Sequence, residues 1–91
     1  MRESKVENYL IKRVKENGGE IRKLKYIGYK GATDRLVLFF GFAAFVELKK
    51  PGKKPDKHQY EEHAILRQAG LNVWVIDNLE TVDELIEMAT R

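Results

Sequence analysis

The first segment of the chain carries apolar residues at helical spacing. At about 100° per residue, Val6, Leu10 and Val14 fall on one narrow arc of a helix. Polar residues fill most of the remaining positions, and an Asn-Gly-Gly sequence follows them. Because such a sequence is a strong helix stop, the pattern predicts an amphipathic helix from about Lys5 to Glu16.

The segments that follow contain short stretches of apolar residues that are typical of β-strands. β-branched and aromatic residues are frequent in them, and glycine, proline or asparagine separates one stretch from the next. The pattern predicts strands at about Glu20–Ile27, Asp34–Phe40, Ala43–Leu48 and Asn72–Ile76. It also predicts one helix from an Asp56 N-cap to Ala69 and another from a Thr81 N-cap to about Ala89.

The order of these elements predicts the fold class. The second and third strands form a hairpin, whereas a helix joins the third strand to the fourth. Two strands joined by a helix are usually parallel, so the sheet is expected to be mixed. With 91 residues, the chain is expected to form one domain, residues 1–91, with an α/β fold in which helices flank a four-stranded sheet.

The turn of the predicted hairpin decides which side chains share a face of the sheet. Glycine at the first position of a Gly41-Phe42 loop suits a two-residue type II′ turn. That turn would place Asp34 opposite Lys49 and bring Glu47 to the same face. A three-residue turn would reverse the faces of one strand and scatter the three side chains.

Two carboxylates and one ammonium group on a single sheet face are costly unless something binds there. A hard divalent cation and a phosphate would account for both signs of charge. The alternative is an ordinary cross-strand ion pair between Asp34 and Lys49. That pair would leave Glu47 unexplained beside the apolar residues Phe45 and Val46.

Composition limits the kinds of protein that this chain can be. Hydrophobic residues make up 43% and charged residues 34% of it, as in folded globular proteins. No segment approaches the roughly 18–20 apolar residues of a membrane span, and the polar N-terminus is unlike a signal peptide. The absence of cysteine excludes disulfides, thiolate metal sites and cysteine nucleophiles. An intracellular, cytoplasmic location is therefore expected.

Positive charge is concentrated in the first two-thirds of the chain. Residues 1–67 contain 16 basic and 9 acidic residues, whereas residues 68–91 contain one basic and five acidic residues. The segment 49–57 alone has five lysines and one acidic residue. Such a segment beside the carboxylates is suited to bind phosphates, and the alternative is a solvated loop.

Glu7 falls inside the apolar arc of the first helix, and two interpretations of it are open. In a capping box formed with Ser4, the Glu7 side chain would bond back to the backbone amide of Ser4. Alternatively, the carboxylate lies on the buried face of the helix and is directed at the sheet and its cation.

The second predicted helix contains an amide and two histidines that could face either the sheet or solvent. Gln59 lies two turns before Leu66, so it shares a face with that residue and is directed at the sheet. As the third residue after Asp56, it could equally complete a capping box. His58 and His63 are five residues apart rather than four, so we expect both to be exposed rather than bound to a metal.

These residues resemble a known family of nucleases. The order αβββαβ with Asp34 and a Glu47-x-Lys49 motif resembles the PD-(D/E)XK nuclease superfamily. The chain is similar to the stand-alone, phage-type VRR-NUC (virus-type replication-repair nuclease) domain in Gly31-Ala-Thr-Asp-Arg-Leu-Val-Leu, in Phe-Val-Glu-Leu-Lys-Lys-Pro-Gly-Lys-Lys and in Gln59. The resemblance covers about Ser4 to Ile76. It implies a restriction-endonuclease-like αβββαβ core, to which this chain adds a C-terminal helix.

The resemblance also implies how the central residues would act. Asp34 and Glu47 would hold Mg²⁺ or Mn²⁺, with help from the backbone carbonyl of Leu48. Lys49 would position or activate the attacking water and stabilise the charge of the phosphorane. Glu7 matches the first-helix glutamate of the family and would lie near the metal.

Two further sets of residues complete the implied site. Gln59 matches the second-helix glutamine of the family and would act with the catalytic residues. The family often has proline before the metal-binding aspartate, whereas this chain has Thr33; the proline shapes the backbone rather than the chemistry. The residues expected to contact nucleic acid are Lys30, Arg35, Lys50, Lys53, Lys54 and Lys57.

These features predict a metal-dependent endonuclease that hydrolyses DNA phosphodiester bonds. Stand-alone members of the family resemble Holliday-junction resolvases, which implies a homodimer acting on branched DNA in replication or repair. One alternative is a non-catalytic nucleic-acid-binding module on a degenerate nuclease fold; it would have lost Asp34, Glu47 or Lys49, and none is lost. Another is a structural accessory protein whose acidic C-terminal helix docks a partner.

Overall fold

The computed structural model describes residues 2–91 and confirms the predicted order of helices and strands. One sheet has the strand order β1-β2-β3-β4, in which β1, β2 and β3 are antiparallel and β4 is parallel to β3. The α/β class with a mixed sheet is therefore confirmed. The elements are α1 (Glu3–Glu16), β1 (Glu20–Lys23), β2 (Arg35–Phe39), β3 (Phe42–Leu48), α2 (Lys57–Gln68), β4 (Val73–Ile76) and α3 (Leu79–Ala89).

The hairpin of β2 and β3 turns one residue earlier than the sequence suggested. Phe39 pairs with Phe42, so the loop is Phe40-Gly41 and its glycine stands second, with a positive φ of 75°. A positive φ at the second loop position is the requirement of a type II turn rather than a type II′ turn. The predicted register is therefore wrong by two residues. Because side chains alternate with a period of two, the shift leaves every side chain on its predicted face.

The two faces of the sheet are covered by different helices. The buried side chains of Val37, Ala44 and Val46 alternate with those of the opposite face and belong to the core that α1 and α3 cover. Asp34 and Glu47 lie on the other face, where α2 packs. The buried core cluster consists of Val6, Leu10, Val14, Val37, Ala44, Val46, Leu48, Ile76, Val82, Leu85 and Ile86.

Two predicted helix caps are wrong. The first helix begins at Glu3, after Arg2, and no side chain caps it, so Ser4 is already inside the first turn. The last helix begins at Leu79, because Asn78 Oδ1 accepts a hydrogen bond of 2.7 Å from the backbone N–H of Thr81. Asparagine is as good an N-cap as threonine, and the sequence offered both within one turn.

The connection between β1 and β2 is a long loop rather than an extension of the strand. β1 ends at Lys23, and Ile27, which the sequence placed in the strand, is almost fully exposed. The loop lies against α2, since Tyr26 Oη donates a 2.8 Å hydrogen bond to Glu62 Oε2. A Cβ atom added to Gly31 would lie 2.6 Å from the backbone oxygen of His58, so the two backbones touch there.

None of the helices within residues 2–91 combines the length and the apolar character that crossing a membrane requires.

Candidate functional site

The site is built on the paired ends of β2 and β3. Asp34 immediately precedes β2, and its backbone N–H donates to the Val46 carbonyl at 3.0 Å, which holds Asp34 beside the end of β3 that carries Glu47. The Asp34 Oδ2 atom accepts a 2.7 Å hydrogen bond from the backbone N–H of Leu48. The Asp34 side chain thus accepts the Leu48 hydrogen bond that a backbone carbonyl of β2 would accept if the strand pairing continued. Its carboxyl is thereby fixed close to Glu47.

Glu47 is buried to an extent that is unusual for a carboxyl group, with only 2% of the residue exposed. Its Oε2 atom accepts a 2.9 Å hydrogen bond from Gln59 Nε2, whereas its Oε1 atom has no hydrogen-bond partner. Burial, followed by the nearby carboxyl of Asp34, raises the pKa of Glu47 from 4.5 to about 8, against a smaller lowering by Lys49. In the absence of a cation, the protonated form is therefore favoured at neutral pH.

Lys49 joins the two carboxylates on the same face of the sheet. Its Nζ atom lies 3.7 Å from Glu47 Oε2, and 19% of its side chain is exposed. The alternative of an Asp34–Lys49 cross-strand ion pair is not what the structure has: within residues 2–91, the ion pair of Lys49 is with Glu47 and none is formed with Asp34. The predicted convergence of the three side chains nevertheless follows from the shared face.

Gln59 fulfils both of the roles that the sequence left open. Its Oε1 atom accepts from the backbone N–H of Asp56, and its backbone N–H donates to Asp56 Oδ1, which completes a capping box at the start of α2. Its Nε2 atom is the donor to Glu47. The side-chain amide of Gln59 therefore caps the start of α2 through Oε1 and orients the Glu47 carboxylate through Nε2.

His63 belongs to the site, and the prediction that it is exposed is wrong. It is completely buried, and its Nε2 atom lies 3.9 Å from Glu47 Oε1. Burial, followed by the charge of Arg67, lowers the pKa of His63, so the neutral imidazole is favoured. The sequence did contain the signal, since residues four apart on a helix share a face and His63 follows Gln59 by four. His58 is exposed, as expected.

Glu7 neither caps its helix nor joins Asp34 and Glu47. Its Oε2 atom accepts a 2.9 Å hydrogen bond from Arg35 Nε in an ion pair. Arg35 alternates with Asp34 along the chain, so this pair lies on the α1 side of the sheet. The capping box with Ser4 is therefore wrong. Within residues 2–91, no three His, Cys, Asp or Glu side chains are arranged to hold one metal ion.

Exposed lysines surround the site on the α2 side. Lys50, Lys53, Lys54 and Lys57 are exposed in and after the loop that follows β3, and Lys30 is exposed in the loop before β2. The backbone N–H of Gly52 donates to Asp77 Oδ2 at 3.1 Å, which ties this lysine loop to the end of β4. An open cleft of about 280 Å³ separates the loop from α2 and is lined by Lys53, Lys54, Pro55, Tyr60, His63, Arg67, Val75 and Asp77.

Known proteins are similar to this chain over most of its length. It is 42% identical over 79 residues to the "Putative nuclease p44" of Acyrthosiphon pisum secondary endosymbiont phage 1, which covers 86% of this chain and 85% of that protein. A solved structure described as a VRR_NUC domain matches with a TM-score of 0.85 and 45% sequence identity, covering 93% of this chain and 94% of that chain. No family model matches the chain.

Proposed function

Because the chain belongs to the VRR-NUC family of nucleases, within the PD-(D/E)XK superfamily, we propose that it is a metal-dependent endonuclease that hydrolyses DNA phosphodiester bonds. The observation that carries this proposal is the pair of facing carboxylates, of which Glu47 is buried beside Asp34. A buried carboxyl beside a second one can carry its charge at little cost only when a compensating charge binds to both. A divalent cation supplies that charge.

The donor atoms fit a hard divalent cation. Asp34 and Glu47 offer oxygen atoms, and Glu47 Oε1 is buried without a hydrogen-bond partner. The N–H and C=O groups of one strand residue point to the same side, so the Leu48 carbonyl is directed to the side on which its N–H meets Asp34. Mg²⁺ is commonly held by one or two carboxylates, with waters and substrate phosphates as further ligands. We therefore propose Mg²⁺ or Mn²⁺, held by Asp34, Glu47 and the Leu48 carbonyl.

The protein side chains around the cation have separate tasks in hydrolysis. When bound, the cation supplies Lewis-acid polarisation of the phosphate and activation of a water molecule. Lys49 places its ammonium group where it can orient the attacking water and stabilise the negative charge that develops on the phosphate. Gln59 fixes the orientation of Glu47 by holding Oε2, which leaves Oε1 available.

Glu7 and Arg35 are not included among the proposed ligands or DNA contacts. Their ion pair joins α1 to the first residue of β2, directly after Asp34. Only 16% of the Arg35 side chain is exposed, and its guanidinium is already paired. The pair therefore supports the strand end that carries Asp34, from the opposite face of the sheet.

The DNA backbone is proposed to lie over the exposed lysines on the α2 side. Phosphates are bound mainly by lysine and arginine, independently of sequence, which suits a nuclease that recognises the shape of DNA. The proposed contacts are Lys30, Lys50, Lys53, Lys54 and Lys57.

Branched DNA, such as a four-way junction, is the proposed substrate, and a homodimer is the proposed active form. Residues 2–91 contain one carboxylate pair of this kind, so one copy of the protein provides one site for cutting one strand. Symmetric cuts in two strands of a junction require two sites held together. A homodimer supplies them with a fixed separation.

The test is a cleavage assay on a four-way junction and on a linear duplex of the same sequence, with Mg²⁺, Mn²⁺ or a chelator. We expect cleavage only with a cation, paired symmetric cuts in the junction, and none by a Glu47→Gln variant. This variant is nearly isosteric, so its circular dichroism should match that of the wild type. Binding of junction DNA without cleavage under every condition would instead identify a non-catalytic binding module.

A further inference from the structure

His63 is a polar side chain in a position where the structure gives it no partner. It is completely buried, and neither Nδ1 nor Nε2 makes a hydrogen bond. A buried polar group without a partner is unfavourable, and nearly all such groups in folded proteins are paired. An apolar residue would fill the same space on the sheet-facing side of α2 without that cost.

A polar atom that faces His63 is itself without a partner. Glu47 Oε1 lies 3.9 Å from His63 Nε2, and it makes no hydrogen bond with any of residues 2–91. The other oxygen of the carboxylate is already bonded to Gln59. The two unpartnered atoms therefore face each other across a gap that is about 1 Å longer than an N–H···O hydrogen bond.

A water bonded to both atoms across 3.9 Å would have to hold its two hydrogen bonds at about a right angle, so the gap is better closed directly. It can close by a small rotation of the Glu47 carboxylate. The neutral imidazole has one N–H group, and a carboxylate facing Nε2 favours the tautomer in which Nε2 carries the proton. Donation to Oε1 is strongest when Glu47 is ionised, as it is when it binds a cation.

We propose that His63 is a positioning residue that donates from Nε2 to Glu47 Oε1 and so fixes the carboxylate for the cation. Gln59 and His63, on adjacent turns of α2, hold Oε2 and Oε1 of Glu47 respectively, and the second lone pair of Oε1 stays available to the cation. The inference rests on the proposed metal centre. Partners of this kind, which hold a ligand rather than the metal, typically change metal affinity by about 10- to 100-fold when they are removed.

The experiment measures Mn²⁺ binding by electron paramagnetic resonance, without DNA. His63→Leu removes the donor and keeps an apolar side chain of similar size. His63→Gln keeps an N–H donor at the position of Nε2. His58→Leu is the matched control, because His58 is on the same helix but exposed. We expect the Kd for Mn²⁺ to rise about 10-fold or more in His63→Leu. We expect both other variants to stay within about threefold of the wild type.

Each other outcome overturns a definite part of the inference. Wild-type affinity in His63→Leu, or equal loss in His63→Leu and His63→Gln, would show that His63 only fills space. Nitrogen hyperfine coupling to Mn²⁺ in the wild type would show that His63 is a direct ligand instead. No Mn²⁺ binding by the wild type would overturn the metal centre itself, together with this role.

A measurement on the wild type covers the case in which His63→Leu does not fold. Long-range ¹H–¹⁵N spectra report which ring nitrogen of a histidine is protonated. We expect the Nε2–H tautomer, with a shift of its resonances when Mg²⁺ is added to saturation. The Nδ1–H tautomer, or spectra that are unchanged by Mg²⁺, would overturn the role.

Discussion

At the scale of single residues, Glu47 makes metal-free stability dependent on pH. Burial raises its pKa from 4.5 to about 8, so the folded protein holds a proton that the unfolded chain gives up. The stability that this proton contributes is fully present below pH 4.5 and is lost as the pH rises through about 8. In Glu47→Gln, this loss should disappear. Thermal melts of both proteins in chelator from pH 5 to 9 check it; parallel pH profiles would contradict it.

Lys49 is expected to act on turnover rather than on metal binding. Lys49→Met should lower the cleavage rate by roughly 10²–10³, the usual cost of losing one group that stabilises transition-state charge. The Kd for Mn²⁺ should not rise, because a cation near Glu47 competes with the metal rather than assisting it. Single-turnover cleavage and metal titration measure the two effects separately. A large rise in Kd would assign Lys49 a structural role.

The sequence predicted the site residues that belong to a recognisable motif. It missed a site residue whose contact depends on burial. Asp34, Glu47 and Lys49 follow from alternation on a hairpin, which a register error of two residues does not disturb. The spacing of four residues from Gln59 could have placed His63 on the sheet-facing side of α2, but its 3.9 Å contact with Glu47 depends on how closely α2 docks on the sheet, which no local spacing determines. The ion pair of Glu7 with Arg35 was not predicted, because the two residues are distant in sequence and no local pattern links them.

At the scale of elements, the start of α2 is joined to the site in a way that the start of α3 is not. Asp56→Ala removes the side-chain acceptor of the Gln59 backbone N–H and so loosens the first turn of α2, which carries Gln59; the Asp56 backbone N–H that bonds to Gln59 Oε1 remains. Asn78→Ala removes the cap of α3, away from the carboxylates. Each should cost about 1 kcal/mol of stability. Only Asp56→Ala should lower cleavage, by several-fold. Thermal melts measure the stability of each variant, and cleavage assays measure its rate. Equal cleavage rates in the two variants would mean that the Gln59–Glu47 bond is independent of the cap.

The loop before β2 offers a second test at this scale. Gly28 and Gly31 both have positive φ angles, 73° and 89°, so alanine is strained at either position. Gly28→Ala meets no atom within 4 Å and should cost about 1–2 kcal/mol. Gly31→Ala should cost more, because its Cβ would lie 2.6 Å from the His58 backbone oxygen. Chemical denaturation compares the two; equal losses would mean that the loop yields freely.

The elements were predictable in type and order, and less so at their ends. The apolar arc of α1 and the β-branched strands are strong patterns, and all of them formed. The errors lie where either of two nearby residues could have capped the helix or occupied the turn. Asn78 and Thr81 are both competent caps, and either position of the turn can accept glycine in some turn type. Ile27 extended the strand pattern, yet the loop turns away from the sheet before reaching it.

At the scale of the whole molecule, positive charge should govern DNA binding. Lys53→Ala with Lys54→Ala should weaken binding on every sequence. It should also reduce the slope of log K against log salt by about two, near 0.9 for each phosphate that is no longer neutralised. The matched control is Lys12→Ala with Lys15→Ala, which removes the same charge from α1. In this control variant, the slope of log K against log salt should change by less than about one half. Fluorescence anisotropy over a salt series measures both, and equal changes would mean that only net charge matters.

Gln59 closes the first turn of α2 with one end of its amide and holds Glu47 with the other. If Gln59 has the role proposed above, this dual contact determines when the site can be completed during synthesis on the ribosome. The segment from Asp34 to Leu48, which carries both carboxylates, is synthesised before α2. Gln59 and His63 arrive only with α2. A partly made chain therefore lacks the groups that orient Glu47, and nuclease activity appears only when the fold is nearly complete.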